Sequence, residues 1–347
     1  MICPHCESSL LRKERPRNVC GKCGRRYALD PKTNPMGLHD LRIRRIVLRL
    51  TQDGRLPCTS GQLWYALSRA SLRRTRVEVG CGVVLAVVGV VAGLVGLSTG
   101  SVASGAVGGV ALLAAGGFVV ARVKGVGRGR PRLAREVFRT GPLEEWRKVY
   151  GSLPAGVVDD SRYPRTPYAA GGPVLVCPDR SVAVFLDAAG LTARHRLTLV
   201  VGPGALSAPS GPGPVLVLHD ADADGLLLPH QVRSALPGRR VVDIGLPLGT
   251  VYGLDRAVPV RGDRPGPEVM RALVATGEYS GEQLTWLGRG WGFPLVGVAP
   301  ARLLAAVARA AERAAERTAE RAAEAQDAPR GGRAADLGFM TWPGEGP

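Results

Sequence analysis

Residues 214–225 read PVLVLHDADADG. The run Val215–Leu218 is short, apolar and half β-branched, which suits a strand buried on both faces of a sheet. Three similar runs surround it: PVLVC at 173–177, RLTLVV at 196–201 and RRVVDIG at 239–245. Between them, Asp179–Gly190 and Leu226–Leu236 read as helices, and 202–213 as a Gly/Pro loop. Strands alternating with helices predict a mainly parallel sheet covered by helices. Residues 136–150 read as helical and 151–172 as a Pro/Gly/Tyr-rich loop. The last helix runs from Pro300 to about Ala325, with Leu303, Leu304 and Val307 packing on an α/β domain of residues 136–310. Beyond it, 311–326 is a charged, Ala-rich helix and 327–347 a disordered tail.

Acidic residues after a parallel strand lie at the carboxyl edge of the sheet, where ligands bind. Asp220, Asp222 and Asp224 alternate there, and three carboxylates so placed are a candidate site for Mg²⁺ or Ca²⁺. The strand, Asp220, Asp222 and Gly225 together resemble the Toprim fold of topoisomerases and primases. That resemblance implies Mg²⁺-dependent phosphoryl transfer. It also expects a glutamate just after the first strand, where this chain has Pro178 and Asp179, and a helix where it has the loop 202–213. A non-catalytic domain is therefore expected. An EF-hand loop fits Asp220, Asp222, Asp224 and Gly225, but its twelfth position is Gln231. A third reading makes the acids a turn that caps the helix at 226.

Val77–Leu97 (VEVGCGVVLAVVGVVAGLVGL) has Glu78 as its only charge, and Val102–Ala121 (VASGAVGGVALLAAGGFVVA) has none. Each would be roughly 30 Å as a helix, the thickness of a bilayer core. They predict a transmembrane hairpin over 77–121. The chain's net charge of +17 flanks it: residues 1–76 hold 17 Lys/Arg against 5 Asp/Glu, and 122–148 hold 9 against 3. Basic flanks and an uncharged turn at 98–101 predict that both termini are cytoplasmic and that the flanks meet anionic headgroups. Gly82, Gly89, Gly93 and Gly96, with Gly105, Gly109 and Gly116, predict close packing of the hairpin on itself, with homo-oligomerisation as the alternative.

Cys3-Pro-His-Cys6 and Cys20-Gly-Lys-Cys23 form two C-x2-C knuckles. Four thiolates at this spacing predict a closed, structural Zn²⁺ site over residues 1–30. It resembles the short zinc ribbon at the N-terminus of many bacterial membrane and regulatory proteins. Redox-active dithiols are the competing reading. Cys58, Cys81 and Cys177 stand alone and read as small buried apolar residues.

Residues 38–76 predict a helical connector. Leu38 to Leu50 has a helical apolar pattern, Asp53-Gly54 breaks it, and Thr59 or Ser60 caps a second helix with Leu63, Trp64 and Leu67 on its core face. Helix, turn and helix leave a DNA reader open beside a small adaptor. The basic segment 122–135 reads as a linker. No P-loop, G-x-S-x-G or H-E-x-x-H occurs.

The architecture so predicted resembles actinobacterial zinc-ribbon membrane proteins: a multi-domain membrane protein with ribbon, connector, two-helix hairpin and α/β domain. The function expected is a membrane-anchored, cytoplasm-facing interaction or regulatory protein, with Mg²⁺-dependent phosphoryl transfer on nucleic acid or nucleotides as the alternative. Its partners would be lipids, another protein, nucleic acid or a second copy of the chain.

Overall fold

A computed structural model describes residues 1–73, 79–123, 128–164, 172–202 and 213–327. Its centre is a four-stranded, wholly parallel sheet of β3 (Val174–Cys177), β4 (Thr198–Val201), β5 (Val215–Val217) and β6 (Val241–Asp243), in the order β4-β3-β5-β6. The four strands fall inside the four apolar runs of the sequence. Alternation along the strands divides the core in two. Val174, Val176, Val200, Val215 and Val217 face Val232 of helix α9 (Ala223–Ala235). Leu175, Cys177, Leu216 and Leu218 belong to the larger core with Val182, Phe185 and Leu186 of helix α7 (Arg180–Ala188). Side chains two apart share a face of a strand, so a strand covered on both sides must be apolar throughout.

From β3 the chain crosses through α7 and α8 (Leu191–Arg194) to β4 at one edge. From β5 it crosses through α9 to β6 at the other edge. The topological switch point therefore lies between β3 and β5, and a crevice opens beyond their carboxyl ends. The expected loop at 202–213 lies almost wholly outside the described residues, as do 165–171 of the 151–172 loop and the tail from 328.

The N-terminal segment joins the same body. Helices α1 (Asp40–Thr51) and α2 (Ser60–Arg73) are separated by a turn in which Gln52 and Asp53 take left-handed φ of 50° and 59°. Thr59 and Gln62 form a capping box at the start of α2: Gln62 Oε1 accepts the Thr59 N–H at 3.0 Å. Strand β1 (Cys58–Thr59) pairs in parallel with β2 (Val157–Val158). Ile43, Val47, Leu63 and Leu67 share one buried cluster with Leu175, Phe185 and Leu216 of the α/β unit. Gly61 makes this approach feasible, because a Cβ there would lie 2.4 Å from the Ser181 hydroxyl and 2.7 Å from the Arg135 guanidinium. Helices α5 (Arg135–Phe138) and α6 (Glu144–Tyr150), with the turn Arg139–Leu143 between them, bury Phe138, Leu143 and Trp146 in the same core. The segment read as a connector thus packs into the α/β core.

Between α2 and α5 the chain makes an excursion. Helices α3 (Val79–Thr99) and α4 (Val102–Val123) pack antiparallel, and the Gly129 N–H closes the excursion on the Leu72 carbonyl at 3.0 Å. The expected transmembrane hairpin is corrected here: among the described residues, no helix is long and apolar enough to cross a membrane. The expected localisation in a membrane, with both termini cytoplasmic, is corrected with it. The glycine faces also differ from the expected ones. A Cβ on Gly96 would lie 2.6 Å from Gly105 N, and one on Gly108 2.7 Å from Gly93 N, whereas Gly109 and Gly116 have open space before them. On α4 the glycine whose Cβ position is filled by the other helix is therefore Gly108, followed by the buried Ala111 and Ala115, while Gly105 is approached only at its backbone.

Past the sheet, α10 (Leu248–Val251), β7 (Val260–Arg261), α11 (Pro267–Thr276), α12 (Gly281–Gly288) and β8 (Trp291–Gly292) build a second small cluster around Leu226, Leu248, Leu273, Leu287 and Phe293. The last helix, α13 (Pro300–Asp327), buries Leu303, Val307, Ala311 and Ala314. Its described side chains beyond Ala314, up to Glu320, are all exposed.

Candidate metal centre and the carboxyl edge of the sheet

The two cysteine knuckles are built alike. Cys3 and Cys20 accept at their carbonyls from the N–H groups of Glu7 (3.1 Å) and Gly24 (2.8 Å), and both donors have positive φ, 57° and 68°. Each first cysteine donates its own N–H onward, Cys3 to Ser8 and Cys20 to Arg25, both at 3.0 Å. The repeated turn brings Cys3, Cys6, Cys20 and Cys23 together, with all four sulfurs within 4.8 Å of one another. This group can hold a metal ion. Cys3 and Cys23 Sγ lie 3.9 Å apart, and Cys6 and Cys20 Sγ 3.8 Å. Bonds to Ser8 hold the Cys6 thiol low, at about 6. The Cys23 thiol is lowered by the Arg25 backbone, but burial and the three neighbouring sulfurs outweigh this and push it up to about 11. Four sulfurs this close cannot all ionise without a cation between them.

Beyond the cysteines, buried charge fastens the N-terminal segment to the body. Arg15 and Asp30 form a buried ion pair beneath Tyr27. Asp40, the first residue of α1 and fully buried, accepts the N–H groups of Ala28 and Leu29 at 2.9 Å each and the hydroxyl of Tyr150. Arg44 donates to the Pro4 carbonyl at 3.3 Å while lying over the rings of Trp146 and Tyr150. A carboxylate at a helix N-terminus is favoured by the helix dipole, and here it also anchors the neighbouring segment.

At the switch point, a cavity of about 340 Å³ is lined by Pro178, Asp179, Gly202, His219, Asp220 and Leu295, among others. Most of its acids already have partners. Asp179 caps α7 through the N–H groups of Ser181 (2.7 Å) and Val182 (3.2 Å) and pairs with Arg135 at 3.3 Å. Asp222 caps α9 through the Gly225 N–H at 2.8 Å. Asp220 accepts the Leu295 N–H at 2.7 Å, and burial, aided by the charge of Asp179, pushes its carboxyl up to about 7. Asp224 is exposed. Among the described residues, these carboxylates are not gathered into a metal-ligating group as the cysteines are.

His219 is buried between two acceptors. Its Nδ1 lies 2.7 Å from the Asp220 carbonyl and its Nε2 3.0 Å from Asp243 Oδ1. Burial alone would favour the neutral ring, but the Asp243 carboxylate and the carbonyl outweigh it and raise the pKa. With an acceptor at each nitrogen, the imidazolium satisfies both.

Sequence reading missed Asp160. It sits in the stretch read as loop, is buried, and gathers the hydroxyls of Ser60 and Ser181 with the guanidinium of Arg135 at 2.9 Å. Burial works against the ionised form, but the two hydroxyls and Arg135 outweigh it and lower the pKa. Asp160 and its partners come from four separate segments, so no local spacing could have announced the group.

A comparison with known protein families, curated proteins and solved structures finds no match.

Proposed function

We propose that the protein is an interaction or regulatory module with a structural zinc centre and a non-catalytic α/β body. The reading rests on the commitment of the acids at the carboxyl edge. Asp179 and Asp222 cap helices, and Asp220 is bonded to the backbone of Leu295. Mg²⁺-dependent phosphoryl transfer needs at least two carboxylates free to share an ion and a base to take a proton. For the N-terminal centre, zinc is favoured by geometry. A tetrahedral site with metal–sulfur bonds of about 2.3 Å has sulfur–sulfur edges of about 3.8 Å, against 3.8 and 3.9 Å for two of the pairs.

Phosphoryl transfer stays as the second reading, supported by the switch-point cavity and the raised pKa of Asp220. Incubating the full chain with Mg²⁺ or Mn²⁺ and DNA, RNA or nucleoside triphosphates separates the two. No hydrolysis is expected. Turnover that disappears in Asp220→Asn/Asp222→Asn would reverse the assignment.

A further inference from the structure

The α3–α4 hairpin carries an outer surface that a lone copy leaves uncovered. Its inner face is closed at Gly89, Gly96 and Gly108, where a Cβ would meet the other helix. Outward, fifteen Val and Leu side chains between Val84 and Val120 are 45–86% exposed. Together they present on the order of 1,000 Å² of apolar surface, above the few hundred Å² that monomeric soluble proteins show. A second hairpin laid on one broad face would cover roughly half of it, of the same order as the ~800 Å² that each partner contributes to a standard stable interface.

We propose that this surface is covered by the hairpin of a second copy of the chain, giving a four-helix dimer. Three observations favour a second copy. The described outer side chains carry no charge, so they offer nothing with which to select a charged or polar partner. Two hairpins facing each other across a two-fold axis bury the same residues on both sides, so one apolar surface serves as its own complement. The hairpin is also an excursion closed at Leu72 and Gly129, so it can pack against another without disturbing the sheet or the ribbon. The inference goes beyond the interaction reading: finding hydrolysis would overturn that reading and leave the dimer untouched.

The test is the mass of the purified full chain by light scattering at micromolar concentration, beside Val110→Glu/Leu113→Glu, two positions 68% and 79% exposed. A dimer is expected for the parent and a monomer for the variant, with unchanged zinc content showing that the body still folds. A separate Leu113→Cys chain should form an intermolecular disulfide at the hairpin, which covers the case in which the charged variant fails to fold. A monomeric parent chain, open-ended aggregation without a dimer, or uptake into lipid vesicles with no copy-to-copy disulfide would each overturn the proposal.

Discussion

The hydroxyls of Thr59 and Ser181 lie 2.7 Å apart in the buried core, although 122 residues separate them in sequence. Each hydroxyl has one hydrogen, and the carboxylate of Asp160 beyond Ser181 only accepts, so the chain of bonds runs from Thr59 through Ser181 to Asp160. It welds the start of α2 to the start of α7.

Removing Ser181 from that chain should leave Asp160 short of a donor in a buried place. Ser181→Ala is expected to cost about 1–3 kcal/mol, read by denaturant unfolding. The parent chain's core, shared by 38–73 and the sheet, should unfold in one transition followed alike by tryptophan fluorescence and by far-ultraviolet dichroism. Separate transitions for the two segments would show that the weld contributes nothing.

The metal centre makes a different demand. Elemental analysis should return about one zinc per chain, and Cys20→Ala should abolish it. Because Asp40 and Arg44 tie the ribbon to α1 and α6, chelation should also lower the melting temperature of the body. A ribbon stripped of metal with no change in melting would mean that the ties at Ala28, Leu29 and Pro4 form without it.

The four strands, the four-cysteine cluster and both helices of 40–73 were legible because each rests on a local signal: apolar runs, paired cysteines, a helical period broken at Asp53-Gly54. The region 246–299 went unread despite the capping box of Ser280 and Gln283 that opens α12. The outward glycines of α4 were misassigned because in so small-residue-rich a helix Gly105, Gly108, Gly109 and Gly116 suggest several faces, and only the partner helix selects one. The expected membrane span rested on length and lack of charge alone, and among the described residues no helix is long and apolar enough to cross a membrane.

That assignment of faces can be checked by substitution. Gly108→Ala places a methyl 2.7 Å from Gly93 N and 2.9 Å from Gly89 O, so the helices must part. Gly109→Ala meets open space and gains helix propensity of up to about 1 kcal/mol. Hydrogen exchange of the α3 and α4 amides should quicken in the first variant and slow or stay level in the second. The reverse order would show that the hairpin packs through Gly109.

The carboxyl edge should make stability depend on pH. Burial lifts Asp220 from 3.8 to about 7, so between those values the folded chain holds a proton that the unfolded chain has lost. Its contribution is therefore full below about pH 3.8 and is lost as pH rises through about 7. His219 has the same sign: its raised pKa stabilises fully below 6.5 and fades as pH rises through the folded value. Asp243, held low by His219 despite burial, acts oppositely and loses its contribution in acid. Stability should then fall from pH 6 to pH 8.5. Asp220→Asn keeps an acceptor for the Leu295 N–H but cannot ionise, so it should remove about 1.4 kcal/mol of that fall, one pKa unit's worth between pH 6 and about 7. Urea unfolding at both pH values measures it. An equal fall in parent and variant would place the ionisation of Asp220 outside the folding equilibrium and leave His219 as its source, which Asp243→Asn would then reduce.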